Sequence, residues 1–214
     1  MTICISIGSN CATQANIQKY TETTETNFFD WTYEDFRCVL NVLENIDNPE
    51  NILDPNDFIY INNYIVSKKI KFLSVHDKPE NESFESYLPT FIEKYTRRLA
   101  RLKEVIKNNN KIVFIHYISP ESLNSYKIFP ENSDIPNETQ INTFFNLIKN
   151  INNDCTCYLY LAIPPTLQEH YYKLKLVENM NNVFTHYFTI INEIESWTMA
   201  NYDWNVIFNK IKEL

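Results

Sequence analysis

A cysteine with the surroundings of a nucleophile lies close to the start of the chain. Cys11 follows Gly8, the only glycine among the 214 residues, where an apolar strand pattern over residues 3–7 changes to a helix pattern that runs to Tyr20. At a helix N-terminus, unpaired backbone N–H groups and the helix dipole lower the pKa of a thiol and favour the reactive thiolate. A packed, unreactive cysteine is the alternative, because cysteine is among the most buried residue types.

Two stretches further along the chain supply groups that could complete a catalytic site. His76 and Asp77 follow a strand predicted over residues 69–75, and Asp30 stands between aromatic residues ahead of a predicted helix. The imidazole of His76 could take the proton of Cys11 and later return it to a leaving group. Asp30 or Asp77 could hold that imidazole in the required tautomer. A turn or helix-capping role is the alternative for both carboxylates.

Other polar residues are predicted to contact the substrate or its developing charge. The side-chain amide of Asn10, with the backbone N–H of Cys11, could receive an oxyanion. The predicted substrate-binding residues are Ser9, Trp31, Arg98 and Ser119. His116, inside an apolar run, is predicted to be a buried, hydrogen-bonded histidine.

Strand and helix patterns alternate through most of the chain, which predicts the elements that position these residues. The predicted strands include residues 3–7, 69–75, 111–118, 156–163 and 183–191. This alternation is typical of a mainly parallel sheet with helices on both faces, a Rossmann-like three-layer α/β fold, which we predict as a single domain over residues 1–214. Because the carboxyl ends of parallel strands share one edge, we expect Cys11, His76, Asp77, Ser119 and residues 192–195 to converge there.

Composition excludes several classes of function. The net charge of −8 opposes binding to nucleic acid or to an anionic membrane, since both require a basic face. No apolar segment approaches the roughly 20 residues of a membrane helix. A single glycine also excludes the glycine-rich nucleotide-binding loops. Proteins, peptides or small molecules are therefore the expected partners.

Cysteine usage indicates reduced thiols and no metal site. The five cysteines are an odd number, and the N-terminal residues have no secretory-signal pattern, so we expect a cytoplasmic protein. Cys155 and Cys157 share one face of a predicted strand but lack a second ligand pair. We predict neither a metal nor a cofactor.

Four sequence features together resemble a known family. They are the start Ser6-Ile7-Gly8-Ser9-Asn10-Cys11, the segment Phe29-Asp30-Trp31, the strand from Phe72 to His76-Asp77, and Arg97-Arg98 ahead of the strand at 111–115. Their order and spacing over roughly residues 3–118 resemble a family from bacteria and large DNA viruses labelled putative papain-like cysteine peptidases. The resemblance implies a thiol hydrolase with Cys11 as nucleophile and His76 as its partner, and Asp30 as a motif residue. It implies a papain-like α+β fold as the alternative architecture, and the host cytoplasm if the protein is viral.

Three classes of function follow from these observations. The first is a cysteine-dependent hydrolase or acyl transferase acting on an amide, isopeptide or thioester bond. The second is a sugar- or group-transferring enzyme that uses the same sheet edge without a covalent thiol. The third is a non-enzymatic protein-binding module of viral origin, in which Cys11 and His76 would lie too far apart for a hydrogen bond.

Overall fold

The computed structural model describes residues 2–8, 11–118, 135–170, 174–191 and 198–214. Within these ranges the chain forms two four-stranded sheets and five α-helices. In chain order the elements are β1 (Ile3–Ser6), α1 (Cys11–Thr21), β2 (Thr32–Glu34), α2 (Phe36–Glu44), β3 (Phe58–Ile61), β4 (Tyr64–Ser67), β5 (Phe72–Ser74), α3 (Phe84–Asn108), β6 (Lys111–Tyr117), α4 (Glu138–Ile151), β7 (Thr156–Ile163), β8 (Val183–Tyr187) and α5 (Trp204–Glu213). Short 3-10 helices lie at Pro49–Asn51, Pro55–Asp57 and Pro165–His170.

The first sheet is parallel throughout, with the strand order β1-β6-β7-β8. Ile5 of β1 lies opposite Phe114 of β6, and His116 of β6 lies opposite Leu161 of β7. The strands β6 and β7 are almost continuously apolar and buried, as expected for a parallel sheet covered on both faces. The prediction of an α/β chain with a parallel sheet is therefore confirmed.

Helices cover both faces of this parallel sheet. On one face the side chains of β1, β6 and β7 pack in a core with α2, α3 and α4, through residues that include Phe114, Leu102 and Phe144. On the other face, Val113 and Tyr160 pack in a second core with α1 and with Trp204 of α5. Each face buries large apolar side chains, and this burial fixes α1, and so Cys11, against the sheet.

The second sheet is antiparallel, with the strand order β2-β5-β4-β3, and sequence reasoning did not predict it. Its hairpin β3-β4 turns at Asn62 and Asn63, which have positive φ angles of 53° and 66°. Asparagine tolerates this left-handed conformation, and two such residues form the turn that matches the twist of a hairpin. The strands are only three or four residues long, so their alternation gave a weak signal.

This second sheet corrects two predictions about site residues. The strand before His76 is β5, which pairs with β2 and β4 in the antiparallel sheet and is not a member of the parallel sheet. Asp30 precedes the strand β2 instead of a helix, and the N-cap of α2 is Asp35, whose side chain accepts a hydrogen bond from the Cys38 backbone N–H. The β-structure is thus half antiparallel in the described residues, while the single-domain organisation stays a prediction.

Candidate active site

Cys11 is the first residue of α1, and the backbone shortly before it is held by β6. Gly8 has a φ of +93°, and its carbonyl oxygen accepts a 3.0 Å hydrogen bond from the Tyr117 N–H. The preceding carbonyl, of Ile7, accepts from Nδ1 of His116 at 2.9 Å. The predicted burial and hydrogen bonding of His116 are thus confirmed. Ile7 and Gly8, which precede Cys11, are therefore fixed to β6 by hydrogen bonds.

The side chains of Cys11 and His76 meet although 65 positions separate them in sequence. Sγ of Cys11 lies 3.0 Å from Nε2 of His76, which is within hydrogen-bonding distance. Cys11 is only 8% exposed, whereas His76 is exposed. The thiol therefore lies beneath an imidazole that solvent reaches, and the contact joins the helix on the parallel sheet to the end of β5 in the antiparallel sheet.

Trp31 packs against the imidazole of His76. The two ring centroids lie 5.7 Å apart, with an interplanar angle of 87°, so the contact is edge-to-face. Trp31 is half-buried and has a positive φ of 69°, which is uncommon for a bulky residue. Strained backbone of this kind persists only where surrounding contacts over-determine it. Trp31 thus restricts the imidazole directly, and its predicted contact with substrate stays a prediction.

Asp77 anchors the turn that carries His76. It is 4% exposed, and its carboxylate accepts hydrogen bonds from four surrounding side chains: Ser74, Tyr87, Lys94 and Tyr95. Burial acts to raise the pKa of Asp77, but the hydrogen bonds from Lys94 and Ser74 and the positive charge of Lys94 outweigh burial, so the pKa is lowered. The carboxylate is therefore ionised at neutral pH, and it ties the turn to α3.

The structure does not place either predicted aspartate in a hydrogen bond with His76. Both oxygens of Asp77 are engaged by other side chains, and Asp30 bonds within its own turn. In the described parts of the chain, His76 forms its one side-chain hydrogen bond with Cys11. Among the described residues, therefore, no hydrogen bond supports the hypothesis that an aspartate orients His76.

Asp30 is fully buried in the turn that leads into Trp31. Its Oδ2 accepts a hydrogen bond of 2.5 Å from the Asn27 backbone N–H, and its backbone carbonyl accepts from Nη1 of Arg98 at 3.2 Å. Burial raises the pKa of Asp30 to about 7, although the Asn27 N–H and the charges of Arg98 and Arg101 act to lower it. Asp30 thus shapes the backbone that holds Trp31 against His76.

Arg98 is buried beneath the same turn. It is 8% exposed, and its guanidinium lies 5.1 Å from the centre of the Tyr95 ring, a cation–π distance. With its hydrogen bond to the Asp30 carbonyl, it joins α3 to the turn before β2. Its predicted contact with substrate stays a prediction.

Glu34, on β2, is a site residue that sequence reasoning missed. It is 3% exposed, and its carboxyl group lies directly against the backbone of Gly8. Burial raises the pKa of Cys11 to about 12, the negative charge of Glu34 adds to this rise, and the backbone N–H of Cys11 partly offsets it. The single glycine indicated that some group lies close to the backbone at Gly8. Nothing in the local sequence pattern identified that group as Glu34.

These contacts determine how the thiol could react. Because its pKa is raised, the thiol of Cys11 is neutral at pH 7, and Nε2 of His76 is the nearest group that could accept its proton. This differs from the thiolate that the helix N-terminus alone predicts. The helix dipole favours the anion, but burial and a neighbouring carboxylate oppose it.

Several predicted site residues lie outside the described parts of the chain. They are Ser9, Asn10, Ser119 and residues 192–195. The oxyanion role of Asn10 and the substrate contacts of Ser9 and Ser119 therefore stay predictions. Among the described residues, no group of three or more histidine, cysteine or acidic side chains is arranged to hold a metal ion. In the same residues, no helix has the length and apolar character needed to cross a bilayer.

A family model described as "Putative papain-like cysteine peptidase (DUF1796)" matches residues 2–153. The chain belongs to this family. The match contains Cys11, His76, Trp31 and Glu34, while β7, β8 and α5 lie beyond it. The family resemblance stated from the sequence is thereby confirmed. Searches of curated proteins and of solved structures gave no match to this chain.

Replacing Gly8 by alanine is expected to destabilise this family member strongly. An added Cβ would overlap Oε1 of Glu34 and lie 2.9 Å from its Cδ, at a backbone φ of +93° that disfavours alanine. Left-handed strain and overpacking together predict a loss of roughly 2–4 kcal/mol in the free energy of unfolding. Urea denaturation measures this loss. In a Glu34→Ala background the steric part of the loss should disappear, whereas an equal loss in both backgrounds would contradict the assigned clash.

Proposed function

We propose that the protein is a cysteine-dependent hydrolase that cleaves amide or isopeptide bonds in proteins or peptides. The observation that carries this proposal is the 3.0 Å separation of Sγ of Cys11 from Nε2 of His76. A nucleophile and a base within hydrogen-bonding distance are the minimum machinery of covalent acyl transfer. Membership in a family described as papain-like cysteine peptidases supports the same reaction and favours protein or peptide substrates.

The proposed reaction begins when Sγ of Cys11 bonds to the substrate carbonyl carbon while its proton passes to Nε2 of His76. The tetrahedral intermediate then collapses, the bond from that carbon to the leaving nitrogen breaks, and the imidazolium returns the proton to the nitrogen. Water attacks the resulting thioester, with His76 again taking and returning a proton. The products are an amine, a carboxylic acid and the free thiol.

The surroundings of the two groups support their proposed roles. His76 is exposed, so a substrate entering from solvent meets the imidazole first, while Cys11 lies beneath it at the start of α1. The backbone N–H groups of the first helical turn lack helical partners and are suited to an oxyanion. Trp31 restricts the imidazole on one side, and Asp77 anchors the backbone that carries it.

Acyl transfer to an acceptor other than water is the alternative outcome of the same first step, because the thioester is common to both. The third class considered from the sequence, a binding module, required Cys11 and His76 to be separated, and their contact weighs against it.

All five cysteines are free thiols, which agrees with the proposal of a reducing compartment such as the cytoplasm.

Labelling with iodoacetamide tests the proposed nucleophile. We expect labelling of Cys11, located by peptide mass spectrometry, and loss of that label together with all hydrolysis of a mixed library of fluorogenic peptide amides in Cys11→Ala. Cys4→Ala, which removes a half-buried thiol from the adjacent strand, is the matched control and should keep both activities. Hydrolysis that survives Cys11→Ala in a folded protein would overturn the proposal.

A further inference from the structure

We propose that Tyr95 and Arg98 of α3 are positioning residues of this site, which together set the orientation of the His76 imidazole against Trp31 and Cys11. The inference rests on the proposed function and deepens it, because it assigns the support of the base to a helix instead of to an orienting aspartate. It also gives Arg98 a role besides the substrate contact predicted from the sequence.

The His76 imidazole lies between two neighbours on different elements. Its Nε2 is 3.0 Å from Sγ of Cys11, and its ring centroid is 5.7 Å from that of Trp31. A histidine ring can rotate about two side-chain bonds, so contacts with its neighbours decide where Nε2 points. Trp31 lies in the turn before β2 and His76 in the turn after β5, so the relative placement of these two turns controls the orientation of the base.

Tyr95 ties the His76 turn to α3 through Asp77. Its hydroxyl group donates a 3.0 Å hydrogen bond to Oδ2 of Asp77, and Lys94 forms an ion pair with Oδ1 of the same carboxylate. Tyr95 and Asp77 are buried, and hydrogen bonds to an ionised group are stronger than those between neutral groups. Asp77 follows His76 directly in the chain, so its position restricts the backbone that carries the imidazole.

Arg98 ties the Trp31 turn to the same part of α3. Its Nη1 donates a 3.2 Å hydrogen bond to the backbone carbonyl of Asp30, the residue before Trp31. Its guanidinium also lies 5.1 Å from the centre of the Tyr95 ring, three positions earlier on the same face of α3. One turn of α3 therefore connects both segments and fixes the separation of Trp31 from His76.

Two variants remove the two ties separately. Tyr95→Phe removes the hydroxyl group and keeps the ring, and Arg98→Met removes the guanidinium and keeps an apolar stem. The Tyr95 ring packs with three phenylalanines, namely Phe28, Phe72 and Phe91. We expect each variant to slow alkylation of Cys11 by iodoacetamide about tenfold at pH 7.5, because a displaced base loses part of its effect.

Matched controls change the same residue types away from the site. Tyr60→Phe removes a hydroxyl group that bonds to Asn63, and Arg97→Met removes an exposed ion pair of α3, so both should leave the alkylation rate unchanged. Should the core variants not fold, Lys94→Met removes a half-buried partner of the Asp77 carboxylate and should slow alkylation similarly. An unchanged rate in folded Lys94→Met would overturn the inference.

A His76→Ala background separates positioning from a general loss of structure. Tyr95→Phe and Arg98→Met should have no further effect on the alkylation rate there, because both act through the imidazole. An equal slowing in the two backgrounds would overturn the inference. A rate that His76→Ala itself leaves unchanged would instead count against the proposed function.

NMR spectroscopy supplies a readout of the imidazole position itself. The ring current of an indole shifts the signals of nearby protons, so the Cε1 proton of His76 should resonate at different positions in the wild type and in Trp31→Leu. In Tyr95→Phe and Arg98→Met this signal should move towards its position in Trp31→Leu, whereas Tyr60→Phe should leave it in place. An unmoved signal in both folded variants would overturn the inference.

Discussion

Replacing His76 by alanine is expected to slow alkylation of Cys11 by iodoacetamide by about 100-fold or more at pH 7.5, the usual contribution of a positioned base. The reason is that Cys11, with its pKa raised to about 12, has almost no thiolate of its own at this pH. Without the imidazole 3.0 Å away, the proton of Cys11 has to pass to water, a much weaker base. The measurement is the second-order rate constant at Cys11, followed by mass spectrometry.

Stability should change little in the same variant, which separates a chemical role of His76 from a structural one. His76 is exposed and, among the described residues, its ring contacts only the ring of Trp31, so the free energy of unfolding should fall by less than about 1 kcal/mol. Lys78→Ala alters an exposed residue of the same turn and should leave the alkylation rate unchanged. An alkylation rate in folded His76→Ala equal to that of the wild type would refute the assignment of a base.

Replacing Asp30 by asparagine is expected to flatten the pH dependence of stability. Because the folded pKa of Asp30 is raised to about 7 from an ordinary value of 3.8, the folded state holds a proton that the unfolded state has lost between these pH values. The contribution of Asp30 to the free energy of unfolding is therefore largest below pH 3.8, and it declines as the pH rises to about 7. The shift corresponds to a loss of roughly 4 kcal/mol in the free energy of unfolding of the wild type. Asp30→Asn should not show this loss, because its amide does not ionise.

Urea denaturation at pH 5 and pH 8 measures the part of this loss that falls between pH 5 and about pH 7, roughly 3 kcal/mol. Asp30→Asn should gain stability relative to the wild type as the pH rises, and the amide oxygen can still accept the hydrogen bond from the Asn27 N–H. Asp154→Asn makes the same charge change at an exposed position and should follow the wild-type curve. Parallel curves for Asp30→Asn and the wild type would show that Asp30 is ionised in the folded protein throughout this range.

Local patterns in the sequence were sufficient to predict the elements whose periodicity is long and strong. The apolar runs of β6 and β7 and the stripes of α3 and α4 each extend over many residues, so they predicted a parallel sheet with helices around it. The start of α3 shows the limit of this reasoning. Pro89 predicts a helix start at that residue, but Ser83 caps the helix six positions earlier, because its side chain accepts a hydrogen bond from the Ser86 N–H.

Residue types and order along the chain also identified Cys11 and His76 as candidates, and the family match supports the motif that contains them. The reason given for their convergence was nevertheless wrong. They do not share the edge of one sheet; β5 belongs to a second, antiparallel sheet that packs beside the first. The short strands of that sheet become stable only by pairing with one another, and such pairings leave little trace in local periodicity.

The sequence by itself thus determined the helix that starts at Cys11 and the apolar strands β6 and β7 of the parallel sheet. It also determined which reactive side chains are available at the site. Only the tertiary structure decided that Glu34 lies against Gly8, that Asp77 is tied to α3, and that Asp30 is buried with a raised pKa. Burial and charge proximity depend on which distant segments pack together, and this packing controls the pKa of Cys11 more strongly than its place at a helix N-terminus.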